Sequence, residues 1–116
     1  MPPEKTNLLN EAVEVAKNSD AVILIVGTNS DWETEGNDRT DLSLPANQDT
    51  LIESILKANQ NTVIVLNSGS PVSMPWIDKS KAILQSWFGG QEYGNSLADI
   101  IFGKVNPSGK LPTTFP

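Results

Sequence analysis

The stretch Ala21-Val22-Ile23-Leu24-Ile25-Val26 decides the fold class of this sequence. It is short, rich in β-branched residues and without polar alternation, which is the pattern of a strand covered on both faces of a parallel sheet. Two further stretches, Thr62-Val63-Ile64-Val65-Leu66-Asn67 and Ala82-Ile83-Leu84-Gln85-Ser86-Trp87, are similar. The sequence therefore predicts three strands of one sheet.

Segments with helical spacing of apolar residues separate these strands. Helices are predicted at residues 8–17, 47–58, 72–78 and 93–102, and a short edge strand at residues 113–115. Thr6 or Asn7 is the predicted N-cap of the first helix, and Gly103 is the predicted left-handed terminator of the last. Strands joined by helical crossovers predict an α/β fold, a three-layer α/β/α sandwich with a mainly parallel sheet.

Length and composition exclude several classes of function. The 116 residues are enough for a single domain, 1–116, and carry 14 acidic against 8 basic residues, no His and no Cys. Imidazole bases, zinc clusters, cysteine nucleophiles and disulfides are therefore excluded. The net charge of −6 argues against nucleic acid as a partner. No apolar run approaches the ~20 residues that cross a bilayer, so no membrane partner is expected. The composition leaves the compartment undetermined.

The connection after the first strand is unusually long. Residues 28–45 form an 18-residue loop, against about 2–6 residues for a typical strand-to-helix connection. Such connections lie at the carboxyl edge of the sheet, where open α/β sheets bind ligands. The loop holds five of the 14 acidic residues and the only Arg, Arg39. We therefore expect it to carry function.

Three interpretations of this loop remain open from composition. Disorder is opposed by Trp32, Leu42 and Leu44, which favour packing. A calcium site is suggested by oxygen donors at short spacing, although their order does not fit an EF-hand loop. These donors are Asp31, Glu33, Glu35 and Asp38. Carbohydrate chemistry is the third interpretation, because glycoside hydrolysis needs carboxylates and no histidine, and Trp32 would offer a sugar-stacking face.

A second segment at the same edge, Ser68-Gly69-Ser70-Pro71, follows the second strand. Its backbone N–H groups could serve an anion, but the plain start of a helix is the favoured interpretation, since no phosphate-binding fingerprint is present. No cofactor is expected.

Several ordered motifs resemble one family. Trp32-Glu33-Thr34-Glu35-Gly36-Asn37-Asp38-Arg39, followed by Leu42-Ser43-Leu44-Pro45, resembles the acidic loop in the C-terminal α/β sandwich domain of glycoside hydrolase family 3. Trp87-Phe88-Gly89-Gly90-Gln91-Glu92 and Val105-Asn106-Pro107-Ser108-Gly109-Lys110-Leu111-Pro112 resemble later blocks of that domain. The resemblance extends from about Glu11 to Pro116.

The resemblance implies a retaining β-glycosidase that acts on a β-glycoside. Its nucleophile would lie on a separate (β/α)8 barrel domain, and the sandwich domain would supply the general acid/base. Glu35, immediately before Gly36, matches that acid/base, with Glu33 as its rival. Trp32 is the expected substrate contact, Asp38 and Arg39 are expected to form an ion pair that shapes the loop, and no metal is expected.

The resemblance also implies how much of a family 3 enzyme these residues represent. Because no barrel is present among the 116 residues, we expect a partial C-terminal domain that is inactive alone. The alternative function is a non-catalytic α/β module for sugar binding or assembly.

Overall fold

The computed structural model describes residues 3–33, 35–36 and 38–116. In chain order its elements are α1 (Pro3–Lys17), β1 (Val22–Gly27), α2 (Gln48–Ala58), β2 (Thr62–Asn67), a single 3-10 turn (Ile77–Lys79), β3 (Ala82–Gln85) and α3 (Tyr93–Ile101). The alternation of strands and helices confirms the predicted α/β class. None of the helices in the described part has the length and apolar character needed to cross a bilayer.

The three strands form one parallel sheet in the order β1-β2-β3. The central strand β2 is largely buried, as its apolar run predicts. The prediction that β1 is covered on both faces was wrong, because Ile23 and Ile25 are 45% and 59% exposed. β1 is an edge strand, and its alternate side chains Leu24 and Val26 are the ones that contact the core.

The core lies between the sheet and α2. Ile52 and Leu56 of α2 pack with Ile64 and Leu66 of β2 and with the fully buried Trp76. The indole N–H of Trp76 donates a hydrogen bond of 2.8 Å to Asp49 Oδ1, which satisfies its one polar atom. The helix α1 packs against α2.

Several element boundaries differ from prediction. The helix α1 begins at Pro3, so the predicted N-cap at Thr6 or Asn7 was wrong. No strand forms at residues 113–115, because Phe115 packs edge-to-face on Trp87 instead of aligning its backbone with the sheet. The predicted helix at 72–78 is reduced to the 3-10 turn, in agreement with the restriction imposed by Pro71 and Pro75.

All three strands end at the same edge of the sheet, as parallel strands must. Thr28 follows β1, residues 68–70 follow β2, and residues 86–88 follow β3. β3 is two residues shorter than predicted, and Trp87 then adopts a positive φ of 57°. This carboxyl edge carries the candidate site.

Candidate active site

A tight turn at the start of the long loop directs Glu33 back over the sheet edge. The side-chain oxygen of Asn29 accepts hydrogen bonds from the N–H groups of Asp31 and Trp32, at 3.0 and 3.2 Å. The carbonyl of Asn29 also accepts a 2.8 Å bond from the Glu33 N–H. Asn is well suited to this position because its short amide can replace backbone partners in a turn.

The Glu33 carboxylate joins the ends of two strands. It accepts hydrogen bonds from the hydroxyls of Thr28, after β1, and Ser70, after β2. The backbone N–H of Gly69 donates a third bond of 2.9 Å to Glu33 Oε2. The segment after β2 therefore does bind an anion, but that anion is a side chain of the same protein.

Arg39 completes this arrangement from the other end of the loop. Its Nη1 lies 3.8 Å from Glu33 Oε1 and donates hydrogen bonds to Ser70 Oγ (2.6 Å) and the Pro71 carbonyl (2.9 Å). The Arg39 side chain is only 11% exposed. Among the described residues no partner is found for its buried Nε and Nη2 atoms.

The surroundings of Glu33 make it a poor proton donor. Burial alone would raise the pKa of the Glu33 carboxyl. The hydrogen bonds from Ser70, Thr28 and the Gly69 amide, together with the positive charge of Arg39, outweigh burial and hold the pKa below its usual value. Glu33 is therefore ionised at neutral pH, with both oxygens occupied.

Glu35 lines the same open pocket as Glu33, but its side chain is exposed. The pocket has a volume of about 400 Å³ and is lined by Glu33, Glu35, Asp38, Arg39, Gly69, Ser70 and Phe88. Glu35 is exposed, and within the described residues it has no hydrogen bond or ion pair. Gly36 follows it with a φ of +85°, a conformation that glycine adopts readily. The Glu35 carboxyl is thus free to meet a ligand.

The other predicted residues of the loop are placed less centrally. Trp32 is partly buried and lies outside the set that lines this pocket, and its buried Nε1 has no hydrogen-bond partner in the described ranges. Asp38 is exposed at the pocket. The expected ion pair between Asp38 and Arg39 was wrong, because Arg39 turns inward to Glu33.

Three further residues line this pocket: Gly69 and Ser70, which the sequence offered as an anion site but favoured as the start of a helix, and Phe88, which was not predicted as a site residue. The signal that could have found them is their position directly after β2 and β3, at the edge where the loop lies. Over residues 3–33, 35–36 and 38–116, no group of three or more acidic side chains is arranged to hold a metal ion.

The chain matches the family model described as "Glycosyl hydrolase family 3 C-terminal domain" over residues 4–116. The chain, an α/β fold with a parallel sheet and an acidic loop at its carboxyl edge, therefore belongs to the glycoside hydrolase family 3 C-terminal domain family. The match begins upstream of Glu11, where the motif resemblance starts.

Individual relatives agree with this assignment. The chain is 56% identical over 109 residues to "Probable beta-glucosidase I" of Emericella nidulans, covering 94% of this chain and 13% of the relative. It is 53% identical over 106 residues to "Beta-glucosidase" of Rhizobium radiobacter, covering 91% and 13%. The crystal structure of the beta-glucosidase from Kluyveromyces marxianus in complex with glucose is similar with a TM-score of 0.93 and 45% identity, covering 96% of this chain and 13% of that chain. The chain therefore spans about 13% of the length of the curated relatives it matches.

Proposed function

We propose that this chain supplies Glu35 as the general acid/base of a retaining β-glycosidase. The nucleophile would come from a (β/α)8 barrel domain, and the substrate would be a β-glucoside. The family assignment, the β-glucosidase names of the relatives and the glucose in the Kluyveromyces marxianus structure support this proposal. We call the chain together with that barrel, whether joined or co-expressed, the assembled enzyme.

The contrast between Glu33 and Glu35 carries the proposal. A general acid must hold a proton until the leaving oxygen takes it, and a general base must have a free lone pair for water. Glu33 meets neither condition, because its pKa is held low and its oxygens are bonded to Thr28, Ser70 and Gly69. Glu35 lines the same pocket with its carboxyl free among the described residues.

The two carboxyl groups then have separate roles. Glu35 protonates the glycosidic oxygen as the nucleophile of the barrel attacks, and its carboxylate later takes a proton from the water that releases the sugar. This mechanism needs the nucleophile about 5–5.5 Å from Glu35. Glu33 and Arg39 hold the loop in position. Trp32 stays a predicted substrate contact.

The dependence on leaving group in the assembled enzyme tests this assignment. In Glu35→Gln, hydrolysis of cellobiose should fall by about 10²–10⁴-fold, since its sugar leaving group needs protonation. Glucosides of acidic phenols need little protonation, so their first step, measured as a phenol burst, should be largely spared.

Glu33→Gln is the matched control. It should lower the activity on both substrates by a similar factor, because it loosens the loop without removing the acid. A strong leaving-group dependence in Glu33→Gln, with none in Glu35→Gln, would contradict the assignment.

A further inference from the structure

Phe88 is the one aromatic residue that lines the candidate pocket in the described part of the chain. It lies at the carboxyl edge after β3, together with Glu35 and Arg39, and is 52% exposed. Covering the exposed half of such a ring removes apolar surface from water, which favours binding of a group that packs on it. An aromatic ring left open beside polar groups is typical of a ligand pocket.

The ring is held against the backbone of the pocket. A Cβ atom built on Gly69 would lie 3.0 Å from Phe88 Cε2 and 3.3 Å from Cδ2, so the ring edge rests directly on this glycine. The same position lies 3.4 Å from Glu33 Oε1. Gly69 therefore sits between the Phe88 ring and the Glu33 carboxylate, and a larger residue there would displace the ring.

The backbone before Phe88 is constrained in an unusual conformation. Trp87 has a φ of 57°, in the left-handed region that bulky residues rarely adopt. Contacts of Ser86 and of Trp87 itself hold it there. Ser86 donates two hydrogen bonds of 2.9 Å to the Leu66 carbonyl, and the Trp87 ring packs edge-to-face on Phe115 with centroids 6.2 Å apart. The turn places Phe88 at the open pocket instead of in the core.

The side of the substrate that meets Phe88 follows from the proposed function, on which this inference rests. In a retaining displacement the nucleophile attacks the anomeric carbon from the face opposite the leaving group, and the acid protonates the leaving oxygen. Groups beside the acid therefore face the leaving group, whereas groups beside the nucleophile face the retained sugar. Phe88 lies on the chain that carries Glu35.

We propose that Phe88 is a specificity-determining residue that stacks on the leaving group of the substrate. Its ring face would contact flat or apolar aglycones, such as an aryl ring or the apolar face of a second sugar. Phe88 therefore favours aryl glucosides over glucosides with a small alkyl aglycone, and it does not touch the retained glucose.

Two glucosides with the same sugar test this in the assembled enzyme. For Phe88→Ala, kcat/KM for 4-nitrophenyl β-glucoside should fall about tenfold, and kcat/KM for methyl β-glucoside by less than about twofold. The inhibition constant of glucose should stay within about twofold, since glucose occupies the retained-sugar site. Phe88→Trp should keep the preference for the aryl substrate. Phe102→Ala, which truncates a ring that is 80% exposed after α3, should leave the ratio of the two substrates unchanged.

Equal losses on both glucosides, or weaker inhibition by glucose in Phe88→Ala, would overturn the role of Phe88 and leave Glu35 untouched. No loss on either glucoside would overturn it as well. Failure of the proposed function is seen separately, in Glu35→Gln with Phe88 intact. If the assembled enzyme hydrolysed no glucoside, both proposals would fall.

Discussion

At Glu33, three hydrogen bonds and the Arg39 guanidinium converge on one carboxylate. The side chain is only 13% exposed, so these contacts are weakly screened by water. They link residues that are far apart in the chain, since Gly69 and Ser70 are 36 and 37 positions from Glu33. We infer that Glu33 stabilises the fold of the loop.

Replacing Glu33 should lower the stability of the chain. Glu33→Gln removes the charge that faces Arg39 and puts an amide N–H₂ against groups that donate, so we expect the free energy of unfolding at pH 7 to fall by about 1–3 kcal/mol. The folded-state pKa of Glu33 lies below its ordinary value of 4.5. Its contribution is therefore fully present above that value and is lost as pH falls through the lower folded-state pKa.

Urea unfolding between pH 7 and pH 3 measures both effects. The free energy of unfolding of Glu33→Gln should therefore fall less between pH 7 and pH 3 than that of the unsubstituted chain. The control Glu11→Gln, at an exposed position on α1, should change stability by less than about 0.5 kcal/mol. Identical unfolding curves for Glu33→Gln and the unsubstituted chain at every pH would exclude the stabilising role.

At the scale of elements, the backbone at the end of β1 is hydrogen-bonded to the side chain of Gln48, the first residue of α2. The Gln48 side chain accepts a 2.8 Å hydrogen bond from the Gly27 N–H and donates one of 2.8 Å to the Gly27 carbonyl. Both backbone groups of Gly27 are thereby satisfied at the strand edge, next to the start of the long loop.

Gly27 itself admits no side chain. A Cβ there would lie 1.9 Å from the carbonyl oxygen of Asn67 on the neighbouring strand, which is backbone and cannot move aside cheaply. We expect Gly27→Ala to destabilise the chain by about 2–3 kcal/mol in urea unfolding. Gly90→Ala is the matched control, since a Cβ there meets nothing within 4 Å, and should cost less than about 0.5 kcal/mol. Equal stability of the two variants would contradict the close strand approach.

The elements differ in how far the sequence predicted them. The bounds of β2 matched because a buried central strand carries an unbroken apolar run. β1 has the same kind of run, but the pattern does not reveal that it is an edge strand with Ile23 and Ile25 exposed. The end of β3 was missed because the positive φ of Trp87 depends on tertiary contacts, namely the hydrogen bonds of Ser86 to the Leu66 carbonyl and the packing of Trp87 on Phe115.

The sequence singled out the loop and its two glutamates as candidates, and both glutamates line one pocket at the sheet edge. The partners of Glu33 lie after another strand, so spacing within the loop could not separate Glu33 from Glu35. The local sequence also predicted that Arg39 pairs with its neighbour Asp38, whereas in the fold Arg39 pairs with Glu33. The partners of both Glu33 and Arg39 are set by tertiary contacts between strand ends, which spacing along the chain does not reveal.

At the scale of the whole molecule, the parallel sheet gathers the ends of three strands at one edge. Thr28, Ser70 and Phe88 each follow a different strand and meet around the acidic loop. This edge is where we propose that the barrel domain docks, because a retaining mechanism needs a second carboxylate opposite Glu35. Under this proposal, the loop is the contribution of this chain to an active site shared with the barrel domain.

Azide rescue of the assembled enzyme tests the central claim, the acid/base role of Glu35, most directly. Azide needs no general base to attack the glycosyl-enzyme intermediate, so it should accelerate turnover of a 2,4-dinitrophenyl β-glucoside by Glu35→Ala and yield β-glucosyl azide. Glu33→Ala should show no acceleration and yield glucose alone, and this chain without the barrel should yield neither product. Formation of glucosyl azide by Glu33→Ala and not by Glu35→Ala would contradict the account.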